Sequence, residues 1–328
     1  MHLLITGTNG FVGGAIVRAA HRRGWQVTGV GRQGSPNPVR ASADAWPDRY
    51  LQADLAAGFA WTPDRPVDAV VHCAALSSPW AAPDRFTAAN LGGTNRVLEW
   101  SRTHGNLPLV FISSPSVLYT DADQYDLTEA SPVVPDEHQI NLYSRSKAQA
   151  ERMVERYPGR WTTLRPRAVF GPGDPVLLPR VLQAARAGRL PIITRRDPDP
   201  VVCDLTHVDV VGEYVARAVE RQASGPFNLT NGSPVPLYPF LFRLFERLGI
   251  PRPRRRVPVR VAMAAARVAE EVSARARDYR EPMITRYGIS MFAWSKTFDI
   301  WRTREVLGEP LMSLTEGVDD LVESYLTN

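Results

Sequence analysis

Tyr143 and Lys147 stand four residues apart in Tyr143-Ser144-Arg145-Ser146-Lys147. On a helix that spacing is about one turn, ~6 Å of rise, and it puts both side chains on one face. A phenol titrating near pH 10 is a poor proton donor or acceptor at neutral pH, and a neighbouring ammonium stabilises the phenolate. A tyrosine held in this way can protonate an oxygen as hydride reaches a carbonyl carbon, or take that proton back in reverse. Tyr-x-x-x-Lys is a common spacing, and a surface pair is the competing reading. Composition sharpens it. The chain has 39 Lys and Arg, of which only Lys147 and Lys296 are lysine, leaving 39 − 2 = 37 arginines. A lysine kept against that pressure marks a position where a broad, planar guanidinium would not serve. Ser113-Ser114-Pro115-Ser116 follows the apolar run Leu109–Ile112. A serine at a strand end can hold a substrate oxygen beside the tyrosine. Ser114 is the first choice, Ser113 and Ser116 remain open, and a turn or cap role competes with all three.

The second constellation is Thr6-Gly7-Thr8-Asn9-Gly10-Phe11-Val12-Gly13. It lies between an expected strand, Leu3–Thr6, and an expected helix, Phe11–Arg23. Gly7 permits a tight turn, Gly10 lets backbone amides approach a pyrophosphate, and Gly13 allows helix and strand to pack closely. The helix start turns its unpaired N–H groups toward the phosphates. Asn9, Phe11 and Val12 complete that expected cofactor site. At the end of the second expected strand the sequence is Val27-Thr28-Gly29-Val30-Gly31-Arg32. Gly31 stands where a site for NAD places an acid for the ribose 2′-hydroxyl. Arg32 follows, and a guanidinium can grip a 2′-phosphate with two hydrogen bonds. This favours NADP over NAD. Asp54, with Leu55 after it, either accepts from the adenine amino group or caps a helix.

Strands at Leu3–Thr6, Gln26–Val30, Tyr50–Ala53, Ala69–Cys73, Leu109–Ile112 and Thr162–Arg165 alternate with helices at Phe11–Arg23, Arg85–His104 and Ile140–Tyr157. That alternation predicts parallel strands joined by right-handed crossovers, an α/β doubly wound sheet. After Pro166 helical patterns dominate: Val176–Ala187, Val210–Arg221, Leu237–Leu248 and Val259–Arg277. Short β-like pieces such as Pro226–Leu229 are scattered among them. This reads as a smaller, mainly helical lobe. Val259–Arg277 could lie on a membrane surface, but its alanine-rich face favours packing within the lobe.

The 328 residues are 44% hydrophobic and 22% charged, with 23 Gly and 28 Pro showing no repeat period. Collagen, low-complexity disorder and solenoid arrays are excluded. Cys73 and Cys203 are too few for a disulfide framework, so a reducing compartment is expected. The chain runs from Met1-His2-Leu3-Leu4-Ile5 straight into the Gly-rich turn, which leaves no room for a secretory signal. No stretch approaches the ~20 apolar residues of a membrane span. The net charge is +5, and its densest run, Arg252-Pro253-Arg254-Arg255-Arg256, reads as a solvated loop rather than a nucleic-acid surface. Six histidines show no metal-ligand spacing, so no metal is expected.

The Gly-rich turn, His72-Cys73-Ala74-Ala75, the Ser114 region and Tyr143…Lys147 resemble, in order and spacing, the extended short-chain dehydrogenase/reductase family. The resemblance covers most of the chain. It implies a Rossmann-type dinucleotide domain (1–165 plus about 201–222) and a substrate lobe (166–200 and 223–328). It implies a Ser114–Tyr143–Lys147 group, with Lys147 holding the nicotinamide ribose. It also implies cofactor contacts at His72, Ala74, Ala75 and Pro166, a supporting role for Asn90, and a homodimer through the helices at Arg85–His104 and Ile140–Tyr157. A cytoplasmic enzyme is expected. Ser113–Val117 and Leu164–Asp174 look like the 3β-hydroxysteroid dehydrogenase-like branch, which includes reductases of long-chain β-keto acids. In sugar-nucleotide members a diphosphate-binding asparagine falls on Ala168, and the Asp-Glu of dehydratases falls on Pro115 and Ser116. Thr120 in place of the usual glycine, a charged stretch at 194–200 and no membrane anchor are further departures. The expected pocket lies near Ser77–Trp80, Arg167–Phe170 and His207, with Trp80 either a substrate wall or plain packing. The expected activity is interconversion of a ketone and a secondary alcohol. Two alternatives stand beside it, a sugar-nucleotide epimerase/dehydratase retaining NAD and a non-catalytic NADP sensor.

Overall fold

A computed structural model describes residues 1–37, 45–175, 177–196 and 199–327. Val176, where a helix was expected to begin, and Asp197-Pro198 of the charged stretch lie outside the described residues. Seven strands form the main sheet: β1 (His2–Thr6), β2 (Gln26–Gly31), β3 (Arg49–Gln52), β4 (Ala69–His72), β5 (Leu109–Ile112), β6 (Trp161–Pro166) and β7 (Gly225–Leu229). Their order is β7-β6-β5-β4-β1-β2-β3, and every neighbouring pair is parallel. β1 and β4 are buried along their whole length, as continuous apolar runs covered on both faces should be. The chain order reverses between β1 and β4. At such a reversal, sheets of this kind bind ligands in a crevice at the carboxyl ends of the strands.

Helices α1 (Phe11–His21), α2 (Gly93–Thr103), α3 (Leu142–Glu155) and α4 (Val208–Glu220) cover the sheet. α1 and α4 bury Ile16, Val17, Val211 and Tyr214 against one face. α2 and α3 bury Val97, Trp100, Ala150 and Val154 against the other. A Cβ at Gly212 would stand 2.5 Å from the Ala15 carbonyl oxygen, so the α1–α4 contact needs glycine there. The long helix expected at Arg85–His104 is instead a short turn (Pro83–Phe86), a wide π-helical segment (Thr87–Gly92) and then α2. The wide turn carries Asn90, which is buried.

Two features correct the expected lobe. The piece Pro226–Leu229, assigned to the lobe, is β7, the edge of the main sheet, so the sheet extends past residue 222. Pro226 is tolerated there because an edge strand can lack an amide donor. The lobe also contains a small sheet, with Val235–Pro236, Val202–Cys203, Lys296–Phe298 and Gln124–Leu127 in that order. Of its helices, α5 (Val259–Ala276) buries Ala262, Ala266 and Ser273 and leaves Val261, Val268 and Val272 exposed. Three further helices were not legible in the sequence: α6 (Arg286–Ala293), Trp301–Leu307 and Leu314–Leu326. Among the described residues no helix is long and apolar enough to cross a membrane.

Candidate active site

The Gly-rich turn is built as its spacing predicts. Gly7 has φ +78°, and a Cβ on it would lie 2.8 Å from the Ala74 amide nitrogen. A Cβ at Gly13 would lie 2.0 Å from the Gly7 carbonyl oxygen, so no other residue fits. Gly10 is exposed and Phe11 and Val12 are half-buried, leaving the start of α1 open toward the crevice. This bare amide cradle fits a dinucleotide pyrophosphate. Asn9 does something else. Its amide nitrogen donates to the Gln33 side chain (2.9 Å) and the Tyr50 hydroxyl (3.0 Å), and its Oδ1 accepts from the Asn37 amide (3.0 Å). Asn9 therefore stitches the turn to the loop after β2.

That loop carries Gly31 and Arg32, expected to choose between the two dinucleotides. A Cβ at Gly31 would stand 2.6 Å from the Tyr50 hydroxyl, so the place of an acid is already filled by a phenol. Arg32 is exposed, and its side chain has no ion-pair partner among the described residues. Asp54 is exposed and its Oδ1 accepts from the Ala56 amide at 3.0 Å, a turn-capping contact. Leu55 is buried against Gly93.

α3 carries Tyr143 and Lys147 and is held from three sides. Asn141 caps it by accepting from the Ser144 amide at 2.8 Å. The buried Arg165 of β6 donates to both oxygens of Glu151, at 2.9 and 2.6 Å. Asn90 donates to Ser146 Oγ (2.8 Å) and accepts from the Leu76 amide (2.7 Å), joining α3 to the loop beyond β4. That is the supporting role expected of it.

Lys147 is 2% exposed. Its ammonium donates to the Ile112 carbonyl at 2.6 Å and lies 4.2 Å from the centre of the Phe111 ring. Burial lowers its pKa to about 8, with Cys73 and Glu151 pulling the other way. Tyr143 is half-buried. Burial pushes its phenol well above the ordinary value, the neighbouring Tyr287 and Cys73 add to this, and the Ser114 side chain opposes it. The Ser114 side chain is thus one group that favours the phenolate here. Of the three candidate serines, Ser113 and Ser116 are buried and Ser114 is half-exposed at the head of the turn Pro115–Leu118. Its Oγ lies 2.9 Å from Ser116 Oγ.

Several expected contacts fall elsewhere. His72 is 1% exposed and both ring nitrogens are spent, on Thr6 Oγ1 (2.8 Å) and Thr94 Oγ1 (3.1 Å). Burial and then Lys147 hold its pKa down at about 3, so it is a neutral brace with no group left for a cofactor. Ala74 and Ala75 are accessible beside it, whereas Pro166 is buried at the end of β6. Phe170 and His207 pack edge to face 5.4 Å apart in the interior. His207 caps α4 and its Nε2 lies 3.2 Å from Asp320, so neither residue lines the crevice. Ser77 is exposed. Trp80 donates to Ser273 Oγ at 2.9 Å and packs on Tyr279, fastening the loop after β4 to the lobe. Tyr287, on α6 and beside Tyr143, was not anticipated. Nothing in the sequence relates its position to 143. Ala168 has φ +41°, a left-handed conformation that asparagine adopts more readily than alanine.

A parallel sheet with a bare amide cradle at its switch point, and a phenol, a serine and an ammonium beside it, is the architecture of a dinucleotide-dependent dehydrogenase. The chain belongs to the NAD dependent epimerase/dehydratase family, whose profile matches residues 3–230. It is 30% identical to a 2-alkyl-3-oxoalkanoate reductase of Stenotrophomonas maltophilia, over 99% of each chain. It is 26% identical to the human sterol-4-alpha-carboxylate 3-dehydrogenase (decarboxylating), over 98% of this chain and 87% of that one. A solved UDP-glucuronic acid 4-epimerase from Bacillus cereus, in complex with NAD, shares the fold. Its TM-score is 0.71 and its identity 16%, over 100% of this chain and 99% of that one. The protein is an NAD(P)-dependent oxidoreductase of the extended short-chain type that interconverts a ketone and a secondary alcohol.

Proposed function

We propose that this enzyme reduces the ketone of a β-keto acid, or oxidises the matching hydroxy acid, and that it prefers NADP to NAD. The position of Tyr143 on α3, one helical turn from Lys147 and under the influence of the Ser114 side chain at the carboxyl ends of the strands, carries the reading. The relatives named for 3-oxoalkanoates and a sterol carboxylate support the substrate class. The dinucleotide, when bound, supplies or accepts the hydride. Ser114 Oγ donates to the substrate oxygen and orients it. Because burial raises its pKa, Tyr143 is protonated at rest and serves as the donor to that oxygen. Lys147, seated on the Ile112 carbonyl, has its remaining N–H groups for the ribose hydroxyls. The amides of Phe11 and Val12 meet the pyrophosphate, while that of Gly10 closes the turn on the Gly7 carbonyl at 2.9 Å. Arg32 meets the 2′-phosphate, and the filled space at Gly31 excludes the acid that would repel it. The same reading takes the enzyme to be a cytoplasmic homodimer, with Cys73 and Cys203 as unpaired thiols.

Replacement Tyr143→Phe tests it. Turnover should fall by ~100-fold or more, on the usual scale of proton-transfer contributions, while dinucleotide affinity stays unchanged. A variant as fast as the parent removes Tyr143 from the chemistry.

A further inference from the structure

Arg167 follows the last residue of β6 and is 6% exposed. Its guanidinium carries five N–H donors in a fixed fork. Nε is buried with no partner, and Nη1 reaches only the thioether of Met291, a weak acceptor, at 3.6 Å. The Tyr119 ring lies 5.4 Å from it and offers a face but no charge. No carboxylate among the described residues lies within ion-pair distance. Asp204 acts on it from further off, with Oδ2 committed to the Phe298 amide at 2.9 Å. Burial lifts that carboxyl to about 6. Lys296, on the lobe side of Arg167, has Asp123 and Asp121 for its own charge. The Arg167 guanidinium is therefore a buried cation with no carboxylate at ion-pair range, a costly state unless something else brings the missing charge.

The place is next to the chemistry. Tyr287 on α6 is half-buried and acts electrostatically on both Tyr143 and Arg167, and Met291, which Arg167 touches, packs against the cluster that holds Val117 beyond Ser114 and Ala148 beside Lys147. Met291 lies one helical turn further along α6. We infer that Arg167 receives the carboxylate of the substrate, with Tyr287 lining the same subsite, and so selects acids over the corresponding esters. This rests on the reading above, which fixes the reaction but not the residue that recognises the acid.

The test uses 3-hydroxydecanoate and its methyl ester, oxidised with NADP⁺. The parent enzyme should show a kcat/KM about 100-fold higher for the acid, the range of a charge-assisted hydrogen bond. Arg167→Gln should lose about that factor on the acid and stay within ~3-fold on the ester. Arg167→Lys should recover part of the loss, since it restores charge without the fork. Unchanged dinucleotide affinity shows that each variant folds, and if Arg167→Gln fails to fold, Arg167→Lys carries the comparison. Equal rates on acid and ester in the parent, or equal losses on both in the variants, overturn the assignment and leave the oxidoreductase reading standing. If the parent oxidises neither compound, that reading of the substrate falls. Calorimetric titration of the NADP⁺-loaded protein then decides. Acid binding that disappears in the variants keeps the carboxylate subsite, and acid binding unchanged in them removes it.

Discussion

The chain has two lysines, and both are buried, in different regions. Lys147 sits in the floor of the crevice, on a helix pinned by Asn90, Asn141 and Arg165, with its ammonium on the Ile112 carbonyl. Lys296 sits in the lobe's small sheet, fully buried, donating to the Ala122 carbonyl over the Tyr119 ring. Burial lowers both to about 8. The resemblance in local physics is close and the surroundings differ. Around Lys147 the neighbours are Tyr143, Ser114 and an open cradle. Around Lys296 they are Asp123, Asp121 and Arg167, inside the lobe. The same pressure-resisting residue is thus kept once beside the proposed proton donor and once to close a corner of the fold.

Substitution separates the two. Lys147→Met should lower kcat/KM by ~1,000-fold, within the range of lost acid–base support, with the protein still folded by circular dichroism. Lys296→Met should leave kcat/KM within ~3-fold of the parent. If the second loss matched the first, the contrast between the regions would be void. Arg32→Ala bears on the floor alone. It should raise KM for NADP⁺ by about 10–100-fold and leave KM for NAD⁺ nearly unchanged, as expected for loss of a charge-assisted contact. The smallest effect is on stability. Each lysine's folded value lies below its unfolded one, so the folded state binds fewer protons above pH 8. Stability should therefore rise as pH climbs from 8 toward 10.5 and be lower below 8. The thiols of Cys73 and Cys203 are raised to about 12 and 11 and oppose this above pH 9, so the cleanest reading is a difference between two proteins. Lys296→Met should gain ~1–3 kcal/mol over the parent at pH 7 in urea unfolding, and the gain should shrink by pH 9. A constant difference would mean that Lys296 does not titrate in that window.

Much of the floor was legible in the sequence because its signals are local. Gly7, Gly10 and Gly13 announce one turn, and the strands of the sheet are short apolar runs bounded by breakers. Composition singled out Lys147, and the same argument applied to Lys296 would have marked the buried corner of the lobe. The seventh strand reads as a β-like piece but was assigned to the lobe, because a proline argues against a place in the main sheet and only the sheet edge makes it acceptable there. Tyr287 and Arg167 come together through the docking of α6, a contact between segments 120 residues apart with no shared period. His72, Phe170 and His207 show the opposite failure. The family resemblance and the expected pocket placed them at the site, and packing uses their side chains as braces.

The wedge of Tyr50 against Gly31 has a consequence for anyone redesigning the cofactor corner. Installing an acid at position 31 alone would push the phenol aside, and that phenol is also what Asn9 grips and what reaches the Gln33 carbonyl at 2.9 Å. The corner at Gly31 and the Gly-rich turn are therefore wired to each other, and on the proposed reading a switch of coenzyme has to be engineered as a coordinated change at 9, 31 and 50 rather than as a point substitution.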